Sequence, residues 1–347
     1  MPRGAAPQGR PWPVESEKYL KGVPSMELEH RGIHRVRLPM PFRLDHVYCY
    51  AVEGREGWCI VDCGLNIPPA RAAWEEFRAA HNIAPRDIRA VYLTHYHPDH
   101  YGLAGWWQEQ TGAPVYMSAV DARLAGIYWR NCRPAAEAVR ELFVRHGMPP
   151  PLAKDVIENM LELMATLSPH PALTTLEPGG EAMLGDLRCR VLLTPGHSDG
   201  HLCFYDPEHG ILFSGDHLLP KITSNISLWP FAHPDPLENF LQSLRENLNL
   251  KARILLPAHG EAFTNLAERV EQLLAHHRER LALMRDLAAP GATAFEVSRA
   301  VFGDRLTLHE ERFAMAETLA HLVHLVGRGE LTVKNEGRVR VFTAPVG

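Results

Sequence analysis

The sequence predicts an α/β fold in which two β-sheets pack face to face with helices on the outer sides. Three observations lead there. Apolar strand-like runs and helical runs recur in two halves that mirror one another. Metal-type side chains stand at the ends of several of those runs. The composition, 46% hydrophobic and 22% charged over 347 residues, is that of an ordinary globular protein with a sizeable core. The length exceeds one average domain, so one large domain and a smaller one are expected.

Residues 1–30 read as an extended N-terminal arm, with Pro2, Pro7, Pro11, Pro13 and Pro24. Strand-like runs follow at 32–38, 46–53 and 57–62, the last two separated by a turn at Gly54-Arg55-Glu56. Residues 69–81 have helical spacing, and a buried strand at 89–94 comes next. After a polar loop, Gly102 to Gln110 reads as a helix, Pro114–Met117 as a short strand, and the segment after Ser118 as another helix. Residues 130–170 differ from their surroundings. Two helical runs, Pro134 to His146 and Leu152 to Leu167, are separated by Pro149-Pro150-Pro151, and Ser168-Pro169 stops the second. This is a two-helix insertion, expected either as a lid over a site, with Met160 and Met164 as an adaptable apolar wall, or as a packing and dimer contact.

Strands resume at 181–184, 187–194, 201–206 and 210–214, followed by a helix at Pro236–Asn249 and a strand at 253–256. The large domain is thus predicted over 31–264 and a C-terminal module over 265–347. The latter has a long helix from Asn265 to about Ala288, two more at Ala294–Val301 and His309–Val326, and a hairpin pairing Glu330–Lys334 with Arg338–Thr343. Helices plus a hairpin suggest a winged-helix-like module. Residues 265–347 carry eleven basic and eleven acidic side chains, without the basic surplus of a duplex binder, so a structural or dimerising role is expected.

Net charge is -5 with histidine neutral, which gives no general attraction to nucleic acid or anionic membrane. None of the six cysteines forms a C-x-x-C pair, and free buried thiols in a reducing compartment are expected. The first residues lack an apolar signal core, and no apolar run approaches the length of a membrane span, so a cytoplasmic protein is expected.

The segment Thr94-His95-Tyr96-His97-Pro98-Asp99-His100 is the strongest chemical signal. Three imidazoles and a carboxylate fall within six residues at the end of a strand. Neutral imidazole and carboxylate are the usual zinc ligands, and imidazole also suits iron. Three more strand ends carry matching residues: Thr194-Pro195-Gly196-His197, Ser214-Gly215-Asp216 and Pro257-Ala258-His259-Gly260. Glycine and proline permit the sharp exits that would turn these side chains toward one rim.

In its H-x-H-x-D-H motif and the later His, Asp and His in that order, the chain resembles the metallo-β-lactamase fold hydrolase superfamily over roughly residues 30–264. The resemblance implies a four-layer αββα sandwich. It also implies that His95, His97 and His197 hold one metal, that Asp99, His100 and His259 hold a second, and that Asp216 bridges them. Seven ligands exceed what one tetrahedral zinc can use. Two divalent ions are therefore expected, zinc first, with iron or manganese as alternatives. They would make hydroxide available at neutral pH to attack an acyl carbon or a phosphorus. Asp99 is the candidate proton shuttle, in addition to binding metal. A lone iron on His95, His97, His197 and Asp216 is the alternative site.

Asp62 matches a recurrent family aspartate that would buttress the metal loops. His201 is either a support for a ligand or an ordinary strand residue, His217 points away from the metals, and His276 and His277 face solvent. Tyr96 and Tyr101 are expected to pack or to be exposed, with donation to an oxyanion as the alternative. Antibiotic-hydrolysing members commonly use a cysteine ligand in the second metal site, whereas this chain has Asp216 at the downstream acidic position, so a β-lactamase is disfavoured. The ligand pattern resembles hydroxyacylglutathione hydrolases, related thioesterases and lactonases, although no basic cluster matches a glutathione carboxylate. A hydrolase of small carbonyl esters, thioesters or lactones is the leading expectation. A metal-dependent endoribonuclease or phosphodiesterase, a mono-iron persulfide dioxygenase and a non-catalytic regulator are the alternatives. The expected partner is a small acyl substrate, with no membrane, nucleic acid disfavoured and a homodimer allowed.

Overall fold

The computed structural model describes residues 22–345. The predicted arm lies outside the described residues as far as residue 21; residues 22–24 are extended, and the rest of it is not. Gly22 bridges to Phe263, and Ser25–Glu29 forms a short helix, α1, behind Pro24. Leu28, the buried residue of that turn, supplies the apolar contact that the proline count concealed.

Three strands follow: β1 (Ile33–Pro39), β2 (His46–Gly54) and β3 (Gly57–Val61). Helix α2 (Pro68–Ala80) leads to β4 (Ile88–Tyr92). Next come a single helical turn α3 (Pro98–Tyr101), α4 (Ala104–Thr111), β5 (Val115–Met117) and α5 (Ala119–Ala125). The insertion contributes α6 (Cys132–Arg145) and α7 (Pro150–Ala165) before β6 (Leu173–Thr175). These six strands form one sheet in chain order, antiparallel from β1 to β3 and parallel from β3 to β6. The sequence does not predict β6, because its three residues are half-buried or exposed and show no alternation.

The second half builds β7 (Glu181–Leu184), β8 (Leu187–Leu193), β9 (Leu202–Asp206) and β10 (Ile211–Gly215), then α8 (Pro236–Asn247) and β11 (Ile254–Pro257). Its sheet runs β11-β10-β9-β8-β7, parallel only between β10 and β11. Val52, Val61, Phe204, Phe213 and Leu256 meet between the two sheets. Each such side chain withheld from water contributes about 1.5–3 kcal/mol. The outer face of the first sheet packs on α2 and α4 through residues such as Trp74 and Trp107, and the same apolar cluster continues into α6 and α7 through Phe143 and Met160. The outer face of the second packs on α8 and on α9 (Leu266–Ala288) through Phe240, Leu244, Val270 and Leu273. The result is the helix–sheet–sheet–helix sandwich the sequence predicts.

Beyond α9 lie α10 (Ala294–Phe302), α11 (Leu308–Gly327) and a hairpin of β12 (Thr332–Glu336) and β13 (Val339–Thr343). Helices α10 and α11 start with reciprocal caps, Thr293 with Glu296 and Thr307 with Glu310, which satisfy the first free backbone N–H groups. Helix α11 is buried on most of its circumference because α7, α8, α9 and α10 all pack on it. The insertion and the C-terminal module thus share one core, and together they roof the rim where β4, β8, β10 and β11 end. No helix among the described residues is long and apolar enough to cross a membrane.

Candidate metal centre

Backbone hydrogen bonds lock the strand ends together at that rim. Leu202 N–H donates to Thr94 O at 2.8 Å, Ala258 N–H to Gly215 O at 3.0 Å and Tyr48 N–H to Ala258 O at 2.7 Å. Gly196 and Gly215, which precede His197 and Asp216, have φ of +138° and +49°. A Cβ on Gly215 would lie 2.8 Å from His201 Nε2, and one on Gly196 would lie 2.8 Å from Phe240 N, so neither position admits a side chain without displacement.

All seven predicted ligands meet. His95 Nε2, His97 Nδ1 and His197 Nε2 form a triangle with edges of 3.0, 2.8 and 3.2 Å. Ligand nitrogens about 2.0–2.1 Å from a tetrahedral zinc would stand roughly 3.3 Å apart, so the triangle is of metal-binding size. The second cluster gathers around two carboxylates. His259 Nε2 is 3.3 Å from Asp99 Oδ2 and 3.5 Å from Asp216 Oδ1. His100 Nε2 is 3.6 and 3.5 Å from the same two oxygens. Asp216 turns its other oxygen, Oδ2, to within 3.3 Å of His197 Nε2. One carboxylate therefore faces both nitrogen clusters. His100 Nε2 and Asp216 Oδ1 are buried without a hydrogen-bond partner, as groups reserved for a cation are. The donor set fits two divalent ions.

The outer nitrogens of these imidazoles are also held, which fixes how the rings point. His100 Nδ1 lies 2.8 Å from Asp62 Oδ2, His197 Nδ1 2.9 Å from Asn225 O and His259 Nδ1 3.1 Å from His46 O. Asp62, in the left-handed region at φ +59°, also accepts from Thr94 N–H and Thr94 Oγ1, both at 2.8 Å, and so buttresses the first loop as expected. His201 proves to be a support: its Nε2 accepts from Asp216 N–H at 3.2 Å while Nδ1 meets Thr194 Oγ1 at 2.8 Å. Burial pushes the carboxyls of Asp99 and Asp216 up, but His100 and His259 outweigh it and hold both below the usual carboxylate range. Burial lowers His259, yet Asp216 and Asp99 raise it to about 10.

Contrary to expectation, His276 and His277 do not face solvent. His277 is buried with Nδ1 3.2 Å from His321 Nε2, and His276 lines the cavity above the site. Helix α9 is covered by α8, α10 and α11, so it has more than one buried face. His217 stays out of the cluster and packs against Phe240, as its position predicts. Sequence reasoning missed Asp121. This fully buried carboxylate on α5 accepts from Ser198 Oγ at 2.6 Å, Gly200 N–H at 2.7 Å and Tyr96 N–H at 3.2 Å, tying the His197 loop to the His95–His97 loop. An aspartate early in a helix gives no sequence sign of such a role.

A cavity of about 810 Å³ opens onto the cluster, with His97, Asp99, His197, Asp216 and His259 in its wall. The rest of the wall is largely apolar and aromatic. The insertion supplies Met160 and Met164, the wide turn before it Tyr128 and Trp129, and the C-terminal module Phe302 and Phe313.

Residues 43–259 match the Metallo-beta-lactamase superfamily family model, and residues 281–344 match the Metallo-beta-lactamase-like, C-terminal domain. The chain belongs to the metallo-beta-lactamase superfamily. Among members of that superfamily, it is 33% identical to the solved metallo-beta-lactamase family protein TTHA1429 from Thermus thermophilus, with a TM-score of 0.82 over 90% of this chain and 99% of that one. A Beta-lactamase domain protein from Burkholderia ambifaria is 29% identical, with a TM-score of 0.79 over 90% of this chain and 92% of that one. The probable metallo-hydrolase YqjP of Bacillus subtilis is 28% identical over 88% of this chain and 96% of its own length. An atrochrysone carboxyl ACP thioesterase of Aspergillus fumigatus is 30% identical over 39% of this chain and 44% of its own length.

Proposed function

We propose that this metallo-hydrolase cleaves carbonyl esters, thioesters or lactones with a large apolar acyl part, using two divalent ions, zinc first. The observation that carries the reading is Asp216, whose two oxygens face two separate nitrogen clusters at the floor of an apolar cavity. His95, His97 and His197 would hold one ion, Asp99, His100 and His259 the other, and Asp216 both. When bound, such ions supply a water that ionises near neutral pH and an electrophile for the developing oxyanion. The protein's own groups do the rest. Asp62, Asn225 and the His46 carbonyl fix the imidazole tautomers, and the methionine and aromatic walls exclude bulk water and orient an acyl chain. Asp99, 21% exposed at its side chain, is the carboxylate placed to pass a proton between cavity and leaving group. The likeness to a named thioesterase over part of the chain supports the acyl reading.

Elemental analysis of the purified full chain, combined with a panel of thioesters, lactones, phosphodiesters and RNA, tests this. Turnover of thioesters or esters that chelator abolishes and zinc restores is expected. Cleavage of RNA alone, or one iron per chain with oxygen uptake on persulfides, would replace the reading.

A further inference from the structure

Charged side chains in the cavity wall stand in pairs, with one exception. Arg43 meets Glu310 at 3.3 Å, Arg280 lies 3.9 Å from Glu317, and Asp99 and Asp216 face His100 and His259. Arg312, on α11, has no carboxylate within ion-pair distance among the described residues. It is 6% exposed, and its Nε has no hydrogen-bond partner. Among the described residues its one hydrogen bond is Nη2 to His309 Nδ1 at 3.3 Å, and its guanidinium lies 4.8 Å from the centroid of the Phe313 ring. His309 cannot balance the charge: burial, and then Arg312 itself, hold it down at about 4, so it is a neutral acceptor. Its ring is stacked on Phe42 with centroids 4.1 Å apart, which fixes the nitrogen that orients the guanidinium.

A buried cation without a counter-charge is costly, so an anionic group that reaches it is bound strongly. We propose that Arg312 anchors a carboxylate on the substrate, so that the preferred acyl compound is an aromatic or aliphatic body with an acid group distinct from the bond that is broken. A planar guanidinium whose Nε has no partner matches a carboxylate, and the largely apolar wall of the cavity that Arg312 shares with the metal cluster matches the body that carries the reacting bond. The C-terminal module is thereby assigned a task in recognition, and the proposal rests on the acyl-hydrolase reading only for the nature of the reacting bond.

The test is equilibrium binding of 2-naphthoate and its neutral counterpart 2-naphthamide to the metal-loaded full chain, by calorimetry, in wild type, Arg312→Met and Arg312→Gln. Wild type is expected to favour the carboxylate by about 10- to 100-fold, the span of a charge-assisted hydrogen bond or two. Both variants are expected to bring the two ligands within about threefold of one another. Neither is expected to unfold, because each removes a buried charge that no carboxylate balances, and the thermal midpoint checks this. Equal binding of both ligands by wild type would overturn the proposal. So would a preference that survives in either folded variant and vanishes only on chelation, since the carboxylate would then sit on the metals. Thioester pairs with and without a terminal carboxylate separate the two readings. If neither is cleaved while the binding preference holds, the acyl-hydrolase reading fails and the anchor stands.

Discussion

The Ser198 hydroxyl donates to the Asp121 carboxylate at 2.6 Å, and through this bond the loop that carries His197 is tied to helix α5. The same carboxylate accepts from Tyr96 N–H, between His95 and His97. The three nitrogens that converge on one candidate metal position are thus registered by a residue that touches none of them.

Asp121→Ala should therefore weaken metal binding without removing a ligand. Buried N–H groups of Tyr96 and Gly200 would lose their acceptor, at a cost of about 1–3 kcal/mol each. Supports of this type are worth about 10–100-fold in metal affinity. Competition with a chelator measures it, and unchanged affinity in a folded variant would show that the loops hold their register without Asp121.

Legibility in the sequence follows locality. His95, His97, Asp99, His100, His197, Asp216 and His259 are readable because each ends an apolar run beside a glycine, proline or neighbouring ligand. Asp121 and Arg312 are not, because their roles arise only when α5 and α11 close over the rim. His277 is misread because a helix that packs on three others has no single solvent face, and helical spacing alone cannot count its neighbours. The insertion's apolar periodicity is visible, but only the structure shows Met160 facing the cavity and α7 resting on α11.

Met160→Ala should change which acyl chains fit while leaving metal content alone. Met160 is 3% exposed and lines the cavity from the insertion, so its truncation enlarges the apolar space above the cluster. A shift of about tenfold in preference toward bulkier acyl groups is expected from kcat/KM across a chain-length series, in line with about 1–3 kcal/mol for a methylene-scale change in a pocket. Lost metal with unchanged selectivity would contradict a wall role for the insertion.

Acid should destabilise the fold through buried neutral histidines outside the candidate metal cluster. Burial lowers His146 from 6.5 to about 4 and His321 from 6.5 to about 3. Between those values and 6.5 the unfolded chain binds protons that the native chain does not. Stability is therefore fully present above pH 6.5 and is lost as pH falls toward 4 and then 3. Each such group removes on the order of 2 kcal/mol between about pH 7 and pH 5. Urea unfolding at the two pH values checks it, with His146→Gln expected to show the smaller loss. Equal losses in variant and wild type would mean that His146 does not contribute.

The most direct measurement is the metal content of the purified full chain beside that of Asp216→Ala. Because Asp216 Oδ2 faces His197 and Oδ1 faces His100 and His259, two divalent ions per chain are expected in wild type. One or fewer is expected in the variant, with hydrolytic turnover reduced at least about 100-fold, the scale of removing a group that organises charge stabilisation. Two tightly held ions and full turnover in Asp216→Ala would contradict a shared carboxylate at the centre of this site.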